Sequence, residues 1–368
     1  MPFKHFLFKR WGIALPLWSL ICPLIGVVLI MLAATQDSGW FAVLMGISLI
    51  TIVLAAVHHA EVVAHKVGEP FGTLILALAI TIIEVSLIVS IMLSESMNES
   101  TLARDTVFAA IMLILTGIIG FSLLVGGYKY KEQAYIKQGV SAAMATLTAI
   151  AVLTLVLPNY TVTTPGPVYS NSQLIFIAIV SLVLYGGFVA VQTGLHRDYF
   201  LPENPAEGEE AHAAPPSTAT TILSLLALLL ALGVVVLMSK KLSPTIEHIV
   251  LDLGAPKSLV GIIIAAVILL PEGTAAIRNA YRNRLQTSLN LALGSALASI
   301  GLTIPAVAIV CYIAGFRVTM GIDGKSTLLL LLSLFTLNIS FGAGRTNILQ
   351  GIVQLVILAT YLFITIVP

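Results

Sequence analysis

The chain has 368 residues, of which 58% are hydrophobic and only 10% charged, and its formal net charge is +1. Its mean hydropathy is +1.04. Because a soluble domain carries about 25% charged residues, this composition excludes a soluble fold and predicts an all-α polytopic membrane protein. The small net charge argues against nucleic acid as a partner, and the apolar composition makes the lipid bilayer the expected partner. The two cysteines, Cys22 and Cys311, lie in separate apolar runs and predict no disulfide framework.

Apolar runs of about 20 residues predict about eleven transmembrane helices. The first six are expected near residues 13–34, 39–64, 68–93, 105–127, 140–157 and 174–195. The other five are expected near residues 220–253, 258–279, 289–314, 327–341 and 348–367. Lys240, Lys241 and Pro244 interrupt the seventh run, so this helix is expected to kink or end early. No small-residue cleavage site follows the basic N-terminus, so the first run is read as a helix and not as a removable signal.

The most polar stretch, residues 197–217, separates the two halves of the chain. It is rich in proline and contains the acids Asp198, Glu203, Glu207, Glu209 and Glu210. Such a stretch is typical of a solvated linker, and a weak cation-collecting role is the alternative. The predicted organisation is therefore a tail and first helix over 1–36, a five-helix repeat over 37–196, the linker over 197–217 and a second five-helix repeat over 218–368.

The two halves repeat a pattern of glutamates. Glu84 follows Glu61 by 23 residues, and Glu272 follows Glu247 by 25 residues. Glu84 and Glu272 each lie inside an apolar run. An odd number of spans in each repeat makes the two copies insert in opposite orientations, as in the inverted repeats of secondary transporters. The sequence therefore predicts one N-terminal helix followed by two inverted five-helix repeats.

The placement of Lys and Arg predicts the orientation of the chain. With the N-terminus in the cytoplasm, the cytoplasmic segments contain Lys4, Lys9, Arg10, Lys66, Lys129, Lys131, Lys137, Arg197, Arg278, Arg282, Arg284 and Arg345. The other side then contains only Arg104, Lys257, Arg317 and Lys325, with Lys240 and Lys241 unassigned. The N-terminus and the linker are therefore predicted to be cytoplasmic, and the C-terminus to lie on the opposite side.

Glu84 and Glu272 are the candidate cation and proton ligands. A buried carboxylate is stable when it holds either a proton or a metal ion, and it does not hold both at once. This exclusion is the minimal chemistry of a cation/proton antiporter that needs no cofactor beyond its transported ions, Ca²⁺, Na⁺ and H⁺. Hard cations take oxygen ligands. Thr81, one turn before Glu84, and the backbone carbonyls that Pro271 frees one turn earlier are candidate oxygen donors. Further candidates are Thr116 on the fourth span and, on the ninth, Asn290, Ser295, Ser299 and Thr303.

A polar cluster at the end of the second span has two interpretations. Its residues are His58, His59, Glu61 and His65, and Glu61 and His65 share a helical face. As part of a transporter, His59, Glu61 and His65, with Glu247 and His248 in the second half, would serve proton entry or regulation. The alternative is a membrane-embedded metal enzyme centred on the four clustered residues. No HExxH, P-loop or nucleophile motif occurs, so the chain is predicted not to be an enzyme.

Two stretches resemble the signature repeats of calcium/proton exchangers, the CAX branch of the cation/Ca²⁺ exchanger superfamily. They are HAEVVAHKVGEPFGTLILALAITIIEVSLI and ILLPEGTAAIRNAYRNRLQTSLNLALGSALASIGLTIP. The likeness is closest to the enterobacterial sodium(potassium)/calcium–proton antiporter type. It implies a bacterial inner-membrane protein in which Glu84 and Glu272, one from each inverted repeat, form the ion site, and it maps the family's Gly-Ser pair to Gly294 and Ser295.

The chain departs from the family pattern next to each glutamate. Where most members have a Gly-Asn pair, it has Ile80-Thr81 and Ile268-Leu269. The expected function is export of Ca²⁺, with Na⁺ and K⁺ as further candidates, in exchange for protons by alternating access. A passive channel is the third alternative, and a homo-oligomer is left open.

Overall fold

The computed structural model describes residues 15–33, 38–67, 101–201, 216–252, 258–315 and 318–367, together with Gly254, Pro256 and several positions between 78 and 89. This part of the chain divides into two compact units. The first comprises Met1–Ser94 and Glu209–Leu253, and the second Glu95–Gly208 and Gly254–Pro368. Each unit therefore draws on both halves of the sequence.

The first unit contains α1 (Leu17–Leu32), α2 (Gly39–Val67) and α7 (Thr218–Asp252). In the second unit the first half of the chain supplies α3 (Leu102–Met112), α4 (Ile119–Tyr130), β1 (Glu132–Ala134), α5 (Lys137–Ala151) and α6 (Asn171–Ala190). The second half supplies α8 (Ser258–Tyr281), α9 (Leu285–Ala314), α10 (Gly324–Ser340), β2 (Arg345–Asn347) and α11 (Ile348–Ile366). Short π-helical segments, Leu113–Ile118, Val152–Val156 and Val191–Leu195, join α3 to α4 and extend α5 and α6.

Nine helices in the described part of the chain are long and apolar enough to cross a membrane, and Leu17–Leu32 is a shorter apolar helix. Helices dominate because a spanning segment must satisfy its backbone hydrogen bonds internally. The prediction of an all-α polytopic membrane protein is confirmed. Most of the predicted third span, near 68–93, lies outside the described residues, and the total of eleven spans stays a prediction.

One boundary expectation was wrong. The seventh predicted span does not end early at Lys240, Lys241 or Pro244, because α7 is a single helix of 35 residues. The alternative expectation, a kink in this helix, stays a prediction. Both lysines are exposed, so their charged ends reach away from the packed face. Pro244 removes a single intrahelical hydrogen bond, which a helix this long and apolar tolerates.

The first unit is held together where three helices meet. The buried face of α1 carries Ser19, Pro23, Gly26 and Leu29, which recur every three or four residues. A Cβ atom built on Gly26 would lie 2.5 Å from side-chain atoms of both Ile52 on α2 and Val234 on α7. A side chain at this position would have to displace Ile52 and Val234, so glycine favours the close approach of these helices.

The core of the second unit is the span formed by α3, its π-helical extension and α4. It is the most buried of the candidate spans in the described part of the chain: 78% of the residues in its apolar stretch are buried, against 22% for α11 at the periphery. α4 and α11 nevertheless come very close. A Cβ atom on Gly351 would lie 2.5 Å from the backbone nitrogen of Leu124, and one on Gly127 would lie 2.6 Å from that of Ile348. Small residues permit such close helix packing in membranes.

Two pairs of loops meet at opposite ends of the second unit. At one end β1 pairs antiparallel with β2, with Gln133 opposite Thr346. At the other end Val168 forms an antiparallel bridge with Thr319. In each pair one loop comes from each predicted half of the chain. These contacts hold together segments that are far apart in the sequence.

The helices that follow two of these loops begin in the same way. α6 starts with a capping box in which Ser170 and Gln173 exchange side-chain and backbone hydrogen bonds, and α11 starts with a capping box formed by Asn347 and Gln350. A capping box satisfies two backbone N–H groups at a helix start. The last helix of each predicted repeat therefore begins with the same capping motif.

Candidate ion site

Glu272 lies inside α8, in the buried interior of the second unit. Its side chain is 6% exposed, and the preceding Pro271 is also buried. α8 continues through Pro271 without a break from Ser258 to Tyr281. Proline carries no backbone N–H, so the carbonyl of Val267, one turn earlier, has lost its usual helical donor. The segment therefore presents a carboxylate with a backbone oxygen one turn away.

Ser295 on α9 is the hydrogen-bond partner of Glu272. Its Oγ donates a short hydrogen bond to Glu272 Oε2, and both side chains are buried. Hydrogen bonds to an ionised carboxylate are the strongest of the ordinary types. Two residues 23 positions apart in the sequence are thus joined in one polar contact between α8 and α9. Sequence reasoning proposed both residues, and the structure brings them together.

Thr116 lies in the π-helical segment between α3 and α4. It is fully buried, and its Oγ1 donates a hydrogen bond of 2.5 Å to the carbonyl of Met112. The lone pairs of that hydroxyl oxygen stay available to a cation. α8 passes close to this segment, because a Cβ atom on Gly273 would lie 3.2 Å from Ile118. The π-helical segment was not predicted, although such segments occur frequently at functional sites.

Ser299 and Asn290, two further candidates on α9, differ in their surroundings. Ser299 lies one helical turn after Ser295 and is buried, so it shares the face that carries Ser295. Asn290 is engaged elsewhere, because its Nδ2 donates to the carbonyl of Phe200 and its Oδ1 accepts from Gln286. Ser299 thus lies on the same face of α9 as Ser295, the partner of Glu272, whereas Asn290 is hydrogen-bonded to Phe200 at the end of the unit. The ligand role of each stays a prediction.

Glu84 and Thr81 belong to the first unit. Both are helical and buried, each with 4% exposure, whereas Ile82 between them is exposed. Ile88, four residues after Glu84, is also buried. This spacing is that of one buried helical face. The structure confirms that the Glu84 carboxylate is sequestered within the protein, while its meeting with Glu272 stays a prediction.

The fold places the residues of the histidine cluster in different environments. His59 is buried, whereas Glu61 and His65 on the same helix are exposed. In α7 the exposed His248 pairs with Asp252 at 3.8 Å, and the side chain of Glu247 lies outside the described residues. Within the described part of the chain, no group of three or more His, Cys, Asp or Glu side chains could hold a metal ion.

We expect Ser295→Ala to weaken cation binding about tenfold, since a hydrogen bond to a charged group contributes about 1.5–3 kcal/mol. The measurement is the apparent cation KM of the reconstituted protein. Ser181→Ala is the matched control, because Ser181 is buried but donates only to the carbonyl of Ile177 in its own helix. Equal KM values for both variants and the wild type would show that the Ser295 hydroxyl does not support the site.

Comparisons with known proteins agree on one family. The model of the sodium/calcium exchanger protein family matches residues 38–194 and 223–367. The putative ionic transporter y4hA of Sinorhizobium fredii is 43% identical over 96% of this chain and 97% of its own length. The sodium-potassium/proton antiporter ChaA of Escherichia coli is 32% identical over 94% of each chain.

A solved structure supports the fold. The crystal structure of an H⁺/Ca²⁺ exchanger, CAX, superposes with a TM-score of 0.69 over 94% of this chain and 88% of that one, at 17% identity. These relatives are transporters, so the enzyme alternative is rejected and the prediction that the chain is not an enzyme is confirmed. The chain belongs to the sodium/calcium exchanger family and, within it, to the CAX branch close to ChaA.

Proposed function

We propose that the protein is an inner-membrane antiporter that exports Ca²⁺, and also Na⁺ and K⁺, in exchange for protons. The observation that carries this proposal is the buried Glu272 carboxylate, which accepts a hydrogen bond from Ser295 between two membrane-spanning helices. An ionisable side chain at such a position is costly unless it has a function. The names of the relatives, a sodium-potassium/proton antiporter and an H⁺/Ca²⁺ exchanger, support the same chemistry.

Glu84 and Glu272 are the two acids that alternate between a cation and protons. In the Ca²⁺-bound state both carboxylates are ionised, and oxygen atoms of Thr81, Thr116, Ser295 and Ser299 complete the ligand set, with Asn290 as an outer member. In the return state both carboxylates are protonated and neutral, so neither state carries an uncompensated buried charge. The empty, ionised state is unfavourable, and this limits uncoupled leak. His59, Glu61, His65, Glu247 and His248 serve proton entry or regulation.

The two predicted repeats, 37–196 and 218–368, are inverted copies. In the first repeat β1 lies between the third and fourth spans, and it pairs with β2, between the fourth and fifth spans of the second repeat. At the other end the roles are exchanged, since Val168 lies between the fourth and fifth spans and Thr319 between the third and fourth. A two-fold axis in the membrane plane produces this exchange. The matching capping boxes of α6 and α11 support the same relation.

The end of the second unit that carries β1 and β2 faces the cytoplasm. It is rich in basic residues: Lys129 donates to the carbonyl of Tyr281, and Arg345 lies 3.7 Å from Glu132. At the opposite end, a cavity of about 220 Å³ is lined by Arg104 and Lys325 together with Asp105 and Asp323. An excess of Lys and Arg marks the cytoplasmic side. This orientation places the N-terminus inside and the C-terminus in the periplasm.

The test is ion-specific exchange by the purified full-length protein in liposomes that contain a pH-sensitive dye. Ca²⁺, Na⁺ and K⁺ are each added outside an acidic lumen at several pH values, with choline as the inert control. We expect Ca²⁺, Na⁺ and K⁺ each to raise the lumenal pH at a rate that saturates with cation concentration. Absence of any cation effect would overturn the proposal. Cation uptake without proton movement would instead identify a passive channel.

A further inference from the structure

The first unit contains a fully buried histidine whose tautomer is set by its partner. His59 is 0% exposed, and its Nε2 lies 3.0 Å from the backbone carbonyl oxygen of Ser19 on α1. A carbonyl oxygen only accepts, so Nε2 must carry the hydrogen. In the neutral ring the lone pair then lies on Nδ1. This buried Nδ1 has no hydrogen-bond partner in the part of the chain that the structure describes.

A second imidazole lies directly beside it. The ring centroids of His58 and His59 are 5.8 Å apart, and the ring of Trp18 on α1 lies at the same distance from His58. His58 is half-buried, and its Nε2, like His59 Nδ1, is buried without a partner among the described residues. Buried polar atoms in native proteins nearly all find a partner, whether protein or water. Two neighbouring imidazoles therefore each have one nitrogen available to a water molecule or a proton.

Among the described residues of α1, α2 and α7, the other groups beside the two rings are not charged acids or bases. α2 packs against α1 and α7. Over its described residues α1 offers one titratable side chain, the half-buried thiol of Cys22, and α7 offers none before Lys240. On α2 itself, Glu61, His65 and Lys66 are all exposed. The two imidazoles are consequently the only bases at this position on these three helices, and imidazole is the side chain that gains and loses protons near neutral pH.

We propose that His58 and His59 form a proton-binding relay, distinct from the two glutamates, that carries the exchanged protons to and from the cytoplasm. A proton that reaches His58 leaves from Nε2, is taken up through one water molecule by Nδ1 of His59, and is later released from that same Nδ1, because Nε2 stays bound to the Ser19 carbonyl. One N–H bond breaks and one forms, and His59 becomes an imidazolium while His58 returns to neutral. The Ser19 carbonyl holds the His59 ring in place throughout, because it accepts from Nε2 in both states.

The position of the pair fits this role. His59 lies eight residues before the end of α2, about 12 Å along the helix axis at 1.5 Å per residue. That end is cytoplasmic in the proposed orientation, so the relay lies between the cytoplasmic surface and the membrane interior. Chains of ionisable side chains with this placement act as proton relays in transporters. This inference rests on the proposed function.

The test compares His59→Gln and His58→Gln with the wild type in liposomes across pH 6 to 9. The glutamine amide can still donate to the Ser19 carbonyl, so His59→Gln retains the structural hydrogen bond but cannot take up a proton. We expect exchange to slow at least about tenfold at alkaline pH, where protons are scarce, and to recover at acid pH, with the cation KM unchanged. His196→Gln is the control, because His196 is exposed and stacks only on Tyr199.

A second readout does not depend on transport. The ¹⁵N NMR spectrum of histidine-labelled protein should contain a signal, absent from His59→Gln, of a neutral ring protonated at Nε2 that converts to imidazolium as the pH falls. Wild-type rates for His59→Gln at every pH would overturn the relay while the proposed function stands. Loss of cation binding in His59→Gln would also overturn it, since the residue would then belong to the ion site. A wild-type protein without exchange would refute both.

Discussion

Glu272→Gln is expected to lower cation-dependent proton movement by a factor of about 100 or more at every pH. Removing one partner of a buried charge pair costs about 3–5 kcal/mol, and the bound cation would lose its carboxylate partner in the second unit. Glutamine has nearly the same shape as glutamate and can still accept the hydrogen bond from Ser295. The fold should therefore survive while the site loses its ability to exchange a proton for a cation. Proton movement in liposomes, driven by Ca²⁺ and separately by Na⁺, measures the loss.

Glu132→Gln provides the matched control for this variant. Glu132 lies on β1, its side chain is largely exposed, and it pairs with Arg345 at 3.7 Å. An exposed ion pair contributes little to stability, so this variant should exchange cations at the wild-type rate. Retained exchange in Glu272→Gln, with thermal stability equal to that of the control, would show that the ion passes through the protein without the help of this carboxylate.

Gly351→Ala is expected to destabilise the second unit by about 1–3 kcal/mol or more, the usual range for inserting an atom into a filled space. The new Cβ atom would lie 2.5 Å from the backbone nitrogen of Leu124 and 2.9 Å from the carbonyl oxygen of Gly120. Both are backbone atoms of α4, so no side chain can rotate away and the helices must separate. Loss of close packing removes the main attraction between membrane helices. A lower unfolding temperature in detergent, with a smaller yield of folded protein, is the expected measurement.

Gly186→Ala is the control for the glycine variant. Gly186 also lies inside a membrane helix, α6, but a Cβ atom there would meet no atom within 4 Å. Alanine is preferred to glycine inside helices, so this variant should be as stable as the wild type or slightly more stable. If Gly351→Ala were equally stable, the close approach of α4 and α11 would not contribute to the fold.

Much of the architecture was predictable because apolar length is a strong signal in a membrane protein. The runs near 140–157 and 348–367 correspond to helices in the structure, and a soluble fold was excluded by composition alone. The burial of Glu84 and Glu272 was also predicted, because a carboxylate inside an apolar run must be sequestered from lipid. Both features depend on local composition, which a single sequence contains in full.

The remaining features depend on residues that are distant in the sequence. The hydrogen bond between His59 and Ser19 joins positions 40 residues apart, and the one from Asn159 to the carbonyl of Ile322 joins positions 163 apart. The hydrophobic periodicity of a sequence contains no information about such distant pairs. The π-helical segment at Thr116 is likewise invisible to a period of 3.6 residues, since it inserts one extra residue into an otherwise regular helix. The early helix end expected near Pro244 was wrong because a long apolar helix tolerates one proline.

The interleaving of the two compact units has a consequence for biogenesis. The first unit needs residues 209–253, which leave the ribosome only after more than one hundred residues of the second unit have been made, and the second unit is finished only by residues 254–368. Neither can therefore complete its packing during early translation, and partly made units must wait in the bilayer with unfilled helix surfaces. Premature stops after residue 208 should yield chains that quality-control proteases remove.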